Sequence, residues 1–186
     1  MNLQPTKLAG VLLIQAPIFS DERGYFMETF QKKTFFEHTG RNIDFVQDSE
    51  SLSSYGILRG LHFQLAPYAQ AKLIRVVHGK ILDVIVDIQP TSKTFGQHIR
   101  IELDSDNKQQ VFIPRGYAHG FVVLSKEALI SYKMDNYYNP KYERGILFSD
   151  PALAIDWQLD SKQLHISERD QHYPLLKEHL KQTGQL

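Results

Sequence analysis

Short runs of β-branched and aromatic residues, each closed by turn-forming residues, recur along the whole chain. The runs are GVLLIQAPIF, GYFMETF, AKLIRVV, KILDVIVDI, GQHIRIEL, QQVFIP, GFVVLS and LISYKMDNYY. In HIRIELD, residues 98–104, polar and apolar side chains alternate with the period of two that is typical of a half-buried strand. Many short strands at regular spacing predict an all-β sandwich or barrel.

The sequence contains fewer turn and helix signals than strand signals. HGK, residues 78–80, lies between two apolar runs and predicts a compact β-hairpin. KKTFFEHTG predicts a short helix closed by Gly40. YPLLKEHLKQTG predicts a short C-terminal helix with Pro174 at its first position and Gly184 after its last lysine. We therefore expect a single domain over residues 1–186, with a few short helices at its periphery.

Composition narrows the possible partners. The chain has 186 residues, is 42% apolar and carries a formal net charge of zero. This balance favours neither nucleic acid nor a membrane surface as a partner, so an anionic ligand would need a local cluster of cations. The absence of cysteine excludes disulfides and thiolate metal sites. No stretch approaches the ~20 apolar residues of a membrane span, and we expect a soluble cytoplasmic protein.

A proline, a glycine and a histidine in IPRGYAHGF form a P-x-G-x-x-H spacing that ends at His119. The spacing resembles the second conserved motif of the cupins, small antiparallel jelly rolls that hold ligands inside a barrel. It is equally typical of a tight turn whose histidine is hydrogen-bonded in the core. The first metal-binding cupin motif has two histidines one residue apart, whereas here His62 is followed at that spacing by Gln64. Because glutamine is a poor ligand for transition metals, we expect no metal.

The stretch LRGLHFQ, residues 58–64, places Arg59 and His62 inside an apolar run. A neutral histidine can accept a proton near pH 7, and a tyrosine such as Tyr132 can donate one. Lys72 could stabilise a developing oxyanion if it points inward. Taken singly, Tyr132 fits an amphipathic strand and Lys72 fits a solvated sheet edge. Taken together, the three side chains suit a barrel that moves protons across a bound carbon.

Nine segments that follow one another in order carry a closer resemblance: RGYFMETF, FVQD, GILRGLHFQ, AKLIRVVHGKILDVIVDI, TFGQHIRIEL, IPRGYAHGFVVLS, YNPKYERGI, DPALAIDW and ISERD. Over roughly residues 10–175 they closely resemble the dTDP-4-dehydrorhamnose 3,5-epimerase family. The resemblance implies a cupin-like antiparallel jelly-roll barrel. It implies epimerisation of dTDP-4-dehydro-6-deoxy-D-glucose at C3 and C5, in dTDP-L-rhamnose synthesis, with no redox cofactor and no metal. An epimerase acting at C3 or C5 alone, or a related ketoisomerase, keeps most of the same residues and stays an alternative.

The resemblance also assigns roles to residues. It implies that His62 is the base and that Asp170, in ISERD, orients and charges its imidazole. It implies that Tyr132 is the acid on the opposite face and that Lys72 stabilises the enolate oxygen. The substrate-binding residues that it implies are Arg23, Phe26, Glu28, Gln47, Ser49, Arg59, His119, Tyr138, Glu143 and Arg169. Among these, the arginine of LRGLHFQ would bind the diphosphate and Tyr138 would stack on thymine.

Three points qualify this assignment. Residues three apart on a regular strand point to opposite faces, so Arg59 and His62 can share a site only if Gly60 permits a bulge or bend. Ser49 stands where the family commonly has asparagine, which affects one polar contact to the nucleotide. The family is dimeric with an exchanged N-terminal strand, which implies that the N-terminal segment, with Arg23, reaches the partner's active site.

Overall fold

Residues 1–182 are described by the structure, a computed structural model, and two antiparallel β-sheets form its main framework. The strands are β1 (Asn2–Pro5), β2 (Leu12–Gln15), β3 (Ile18–Asp21), β4 (Gly24–Met27), β5 (Gln47–Ser54), β6 (Ile57–Gln64), β7 (Lys72–His78), β8 (Lys80–Asp87), β9 (His98–Asp104), β10 (Gln110–Ile113), β11 (Tyr117–Val123), β12 (Glu127–Met134), β13 (Glu143–Gly145) and β14 (His165–Ile166). The helices are α1 (Lys32–Thr39), α2 (Glu168–Gln171) and α3 (Leu176–Gln182), with one 3₁₀ turn at Ser161–Gln163. The prediction of an all-β, cupin-like jelly roll with a few short helices is confirmed.

The two sheets have different strand orders. The first sheet runs β1-β2-β10-β7-β12-β5, and the second runs β13-β6-β11-β8-β9. Neighbouring strands are antiparallel throughout, except that β14 lies parallel beside β6. The β3–β4 pair forms a separate two-stranded hairpin. Strands that are adjacent in a sheet are therefore often distant in the chain, as in a jelly roll.

The main core lies between the two sheets. On β8, Ile81 and Ile85 belong to this core, whereas Leu82 and Val84 pack on the other side against the C-terminal loops. Because both faces of β8 are covered, KILDVIVDI is a nearly continuous apolar run. Strand β9 keeps the predicted alternation, with buried residues at 99 and 103 and exposed residues at 100 and 102.

Of the three predicted helix ends, the one at Gly40 is confirmed. Helix α1 ends at Gly40, which has a positive φ of 68° and donates its N–H to the carbonyl of Phe36. The prediction that Pro174 is the first residue of the C-terminal helix is wrong, because α3 begins at Leu176. The Pro174 carbonyl instead accepts a hydrogen bond from Leu147, which keeps it outside the helix. Gly184 lies outside the described residues.

The predicted hairpin at HGK is also wrong. Strands β7 and β8 belong to different sheets, so His78, Gly79 and Lys80 form a corner where the chain crosses from one sheet to the other. Gly79 has a positive φ of 81°, and a Cβ at this position would collide with the carbonyl oxygen of Glu127. A glycine turn signal between two apolar runs is thus compatible with a sheet corner as well as with a hairpin. Separately, no helix within residues 1–182 combines the length and apolar character needed to cross a bilayer.

Candidate active site

An open cavity of about 710 Å³ lies between the two sheets. Both sheets supply its walls. Arg59 and His62 come from β6 and His119 from β11, whereas Lys72 comes from β7 and Tyr132 from β12. Histidine and tyrosine candidates therefore face a common space from opposite walls, which is the arrangement that proton transfer across a bound ring requires.

His62 is paired with Asp170. Its Nε2 lies 3.0 Å from Asp170 Oδ1, and the Asp170 side chain is only 3% exposed. The other carboxylate oxygen accepts the N–H of Gly60 at 3.1 Å, and Ser167 caps α2 by accepting the Asp170 N–H. Burial acts to raise the pKa of Asp170, but the hydrogen bonds and the nearby imidazole outweigh it and lower the pKa to about 2. The carboxylate therefore stays ionised at neutral pH and accepts a hydrogen bond from Nε2 of His62.

A second histidine–aspartate pair lies deeper in the barrel. His119 Nε2 is 2.6 Å from Asp83 Oδ1, and the two side chains are 5% and 0% exposed. Burial lowers the pKa of His119, because an imidazolium loses its hydration there. Among the described residues, no hydrogen-bond partner satisfies Asp83 Oδ2. Asp83 was not predicted from the sequence, although an acid in the middle of the apolar run KILDVIVDI was a usable signal.

Lys72 and Tyr132 face the cavity from neighbouring strands of the first sheet. Burial lowers the pKa of Lys72 to about 8, against the attraction of Asp83 and Glu143. Burial also raises the pKa of Tyr132, whose hydroxyl lies 2.9 Å from Ser51 Oγ. Tyr132 is therefore a protonated donor at neutral pH, and Lys72 is a cation close to its titration range.

The cavity continues into a neighbouring hollow of about 350 Å³ that His62, Lys72 and Tyr132 also line. Tyr138 lies there at 49% exposure. Its backbone N–H donates to Gln47 Oε1 at 2.8 Å, and its hydroxyl donates to Glu143 at 2.9 Å. The remaining predicted residues that line the two connected hollows are Ser49, Glu143, Arg59, His119 and Arg169.

Three predicted site residues lie elsewhere in this chain. Arg23 and Phe26 belong to the β3–β4 hairpin segment, and Glu28 follows it directly. Arg23 forms an ion pair with Asp21 at 2.5 Å, and Glu28 accepts a hydrogen bond from Gln31. They line neither of the two hollows. One chain thus brings together eleven of the fourteen predicted residues.

Two further residues of the site escaped sequence reasoning. The Tyr173 ring lies edge-on to the His62 ring, with 5.6 Å between ring centroids. A Cβ on Gly145 would collide with the Tyr173 ring, so the glycine makes room for it. Gln64 lies two residues beyond His62 and bonds to three backbone groups. The cupin spacing draws attention to Gln64 but not to its contacts with residues 137 and 139, and no local pattern marks Tyr173.

A metal site was not expected, and two of the cavity histidines, His62 and His119, each pair with an aspartate. Within residues 1–182, no group of three or more histidine, aspartate or glutamate side chains has an arrangement that could hold a metal ion.

A sequence profile described as dTDP-4-dehydrorhamnose 3,5-epimerase matches residues 5–178. The chain is 49% identical over 170 residues to the dTDP-4-dehydrorhamnose 3,5-epimerase of Shigella flexneri, an alignment that covers 91% of this chain and 93% of that one.

Two crystal structures are also similar. That of dTDP-4-dehydrorhamnose 3,5-epimerase from Elizabethkingia anophelis NUHP1 has a TM-score of 0.92 and 48% identity, covering 96% of this chain and 97% of that one. That of dTDP-6-deoxy-D-glucose-3,5-epimerase from Legionella pneumophila Philadelphia 1 contains dTDP-4-keto-L-rhamnose. It has a TM-score of 0.91 and 44% identity, covering 95% of this chain and 93% of that one.

Proposed function

The chain belongs to the dTDP-4-dehydrorhamnose 3,5-epimerase family, and on this premise we propose how its cavity inverts C3 and C5 of dTDP-4-dehydro-6-deoxy-D-glucose. The enzyme is an isomerase of dTDP-L-rhamnose synthesis, and its product is dTDP-4-dehydro-L-rhamnose. Both carbons lie beside the C4 ketone, so loss of either hydrogen as a proton gives an enolate. The reaction changes no oxidation state and therefore needs a base, an acid and an oxyanion partner rather than a redox cofactor. Nucleotide sugars are made from cytoplasmic nucleotides, so the proposed compartment is the cytoplasm.

The single observation that carries the proposal is the His62–Asp170 pair beside Tyr132 in one cavity. Because Nε2 of His62 is engaged by Asp170, Nδ1 is the nitrogen proposed to take the substrate proton. The Asp170 carboxylate then stabilises the imidazolium that forms. General acid–base catalysis of this kind contributes about 10²–10⁴-fold to a rate.

Tyr132 is the proposed acid. It comes from the first sheet, whereas His62 comes from the second, so the sugar ring between them exposes one face to each side chain. Removal of one proton by His62 and delivery of a different proton from the Tyr132 hydroxyl to the opposite face inverts the carbon, after which both side chains exchange protons with solvent. The raised pKa of Tyr132 keeps its proton in place until the enolate, a much stronger base than water, accepts it.

Lys72 is the proposed partner of the enolate oxygen. A cation held in a partly desolvated wall interacts more strongly with a developing negative charge than the same cation in water. An interaction of this type supplies on the order of 3 kcal/mol of transition-state stabilisation. Burial lowers the pKa of its ammonium to about 8, so the group is still mostly charged at neutral pH.

The nucleotide end is proposed to extend toward the hollow that Tyr138 lines. Arg59 would bind the diphosphate, because a guanidinium matches two phosphate oxygens at once. Its Nε is held by Ser53 at 3.0 Å, which fixes the direction of the guanidinium. Tyr138 would stack on thymine, with Gln47 and Ser49 as polar neighbours. His119, Glu143 and Arg169 would contact the sugar or the diphosphate.

We also propose a homodimer that exchanges the β3–β4 hairpin. Three of its aromatic rings are exposed, with Phe19 at 64%, Tyr25 at 54% and Phe26 at 68%, and a two-stranded hairpin is marginal on its own. A partner's sheet would cover these rings. Arg23 and Glu28, which lie away from the cavity of their own chain, would then reach the partner's site.

The direct test is product identification. Purified protein is incubated with dTDP-4-dehydro-6-deoxy-D-glucose without added cofactor, and NMR follows the sugar ring protons. Formation of dTDP-4-dehydro-L-rhamnose supports the proposal. Formation of a sugar inverted at one carbon only would replace it with a single-site epimerase.

A further inference from the structure

The segment that carries Tyr138 is held by two glutamines. Gln64, only 8% exposed, donates from Nε2 to the carbonyl of Tyr137 at 3.2 Å and accepts the N–H of Asn139 at 2.6 Å. The N–H between them, that of Tyr138, donates to Gln47 Oε1 at 2.8 Å. Three successive residues thus have a backbone group fixed by an amide side chain.

Gln64 also reaches a second loop. The same Nε2 donates to the carbonyl of Tyr68 at 2.8 Å, so one amide ties two loops to β6. A primary amide carries two N–H donors and a carbonyl acceptor in one plane. A carboxylate of the same shape offers no donor and would point an oxygen at the carbonyls of Tyr68 and Tyr137. A neutral imidazole offers one donor and one acceptor, which leaves a group unsatisfied.

The position of Gln64 on its strand adds a constraint. Gln64 and His62 are two residues apart on β6 and therefore project on the same face. The strand that delivers the proposed base to the sugar thus also fixes the loop that presents Tyr138. Since metal-binding cupins have a histidine at this spacing, the amide here serves a different purpose at that position.

We propose that Gln64 is a positioning residue that fixes the Tyr138 ring, and with it the distance from the nucleotide base to the reacting carbons. This inference rests on the proposed function, because it takes Tyr138 as the surface on which the base stacks. The hydrogen bonds of the Gln64 side chain to Tyr68, Tyr137 and Asn139 all go to backbone groups, so Gln64 acts through Tyr138.

The test compares Gln64→Glu with the wild type, using dTDP itself as the probe in calorimetry. We expect dTDP to bind about tenfold more weakly, because two donors are lost from a buried site. At saturating substrate kcat should change by less than about threefold, since the base and acid are untouched. The control is Trp157→Phe, which removes another buried side-chain bond to backbone, the one to Phe148 at 3.0 Å, away from both hollows. It should leave dTDP affinity unchanged.

A double-variant cycle separates positioning from general loosening. If Gln64 acts through Tyr138, then Gln64→Glu should weaken dTDP binding no further in a Tyr138→Ala background. Unchanged affinity in Gln64→Glu, or losses that multiply in the double variant, would overturn the inference. If Gln64→Glu does not fold, Gln64→Met, whose side chain has a similar length, replaces it in the same measurements and is judged by the same outcomes. Failure of the proposed function is distinct, because then the wild type would bind no dTDP or Tyr138→Ala would bind it normally.

Discussion

Arg59 and His62 enter the same cavity although they lie three residues apart on β6. A regular strand would direct them to opposite faces. The register between β6 and β11 shifts at this point, so that Gly60 and Leu61 together oppose the single Gly120. This β-bulge, which the sequence left open as a bulge or bend at Gly60, allows one short strand to supply both a cation and an imidazole to the site.

Gly60→Ala should disrupt this arrangement. Gly60 has a φ of 142°, and a Cβ there would lie 2.5 Å from the Gly120 Cα, where backbone cannot move aside easily. We expect the free energy of unfolding to fall by about 3 kcal/mol or more, from backbone strain plus overpacking. Chemical denaturation measures it. Gly40→Ala is the control, with a positive φ but open space around it, and should cost only about 1 kcal/mol. Equal losses in the two variants would show that the contact with Gly120 does not matter.

Tyr132→Phe should separate proton loss from inversion. His62 can still remove the α proton, but the opposite face of the sugar then has no side chain that can donate a proton. In heavy water the recovered substrate should gain deuterium while the rate of inversion falls by about 10²-fold or more. Mass spectrometry of substrate and product gives both rates. Tyr55→Phe, outside the two hollows, should behave as the wild type. Full inversion in Tyr132→Phe would remove this residue from the acid role.

The rate should decline above about pH 8 because of Lys72. Its pKa is lowered to about 8 from 10.5, so the neutral amine dominates at higher pH and no longer stabilises the enolate. We expect kcat/KM, which reports the free enzyme, to fall about tenfold per pH unit beyond that point. In Lys72→Arg the guanidinium stays charged, so this alkaline limb should disappear, although the maximal rate is lower. A limb that persists unchanged in Lys72→Arg would assign it to another group.

Deprotonation of Lys72 at high pH should lower activity but raise the stability of the fold. Between pH 8 and pH 10.5 the unfolded chain holds a proton on Lys72 that the folded chain has released. The free energy of unfolding rises with pH wherever the unfolded state binds more protons than the folded state. Deprotonation of buried Lys72 between pH 8 and pH 10.5 therefore increases the stability of the folded chain. Loss of activity above pH 8 should therefore not be accompanied by unfolding through this group.

The exposed rings of the β3–β4 hairpin should control assembly. Replacement of Phe19 and Phe26 together by serine removes the apolar surface that a partner would cover, and we expect sedimentation velocity to show a monomer. KM should rise in parallel, because Arg23 would leave the partner's site. Phe36→Ser, which alters an exposed ring on α1, should remain dimeric. A dimer in the double variant would exclude the hairpin as the exchanged element.

Local patterns predicted much of the fold. The alternation on β9, the cap of α1 at Gly40 and the bulge at Gly60 depend on short-range sterics and burial. These effects can be inferred from residues that are adjacent in the sequence. The corner at Gly79 and the start of α3 did not follow, because each depends on which distant strand or loop accepts the backbone groups. Turn chemistry alone does not say which sheet the next strand joins.

The site was predictable only in part for the same reason. His62 and Arg59 stand out as polar residues in an apolar run, whereas Asp83 and Gln64 gain meaning from partners 36 and up to 75 positions away. Assembly of the remaining residues came from resemblance to a family and not from spacing.

The central claim is that one cavity exchanges the protons at C3 and C5 through His62. The most direct measurement is deuterium incorporation from heavy water into dTDP-4-dehydro-6-deoxy-D-glucose, read at each carbon by NMR, for the wild type and His62→Ala. The account predicts label at both carbons with the wild type. It predicts loss of about 10³-fold or more in both exchange rates with His62→Ala, while dTDP binding is retained. Label at one carbon only, or undiminished exchange in His62→Ala, would contradict it.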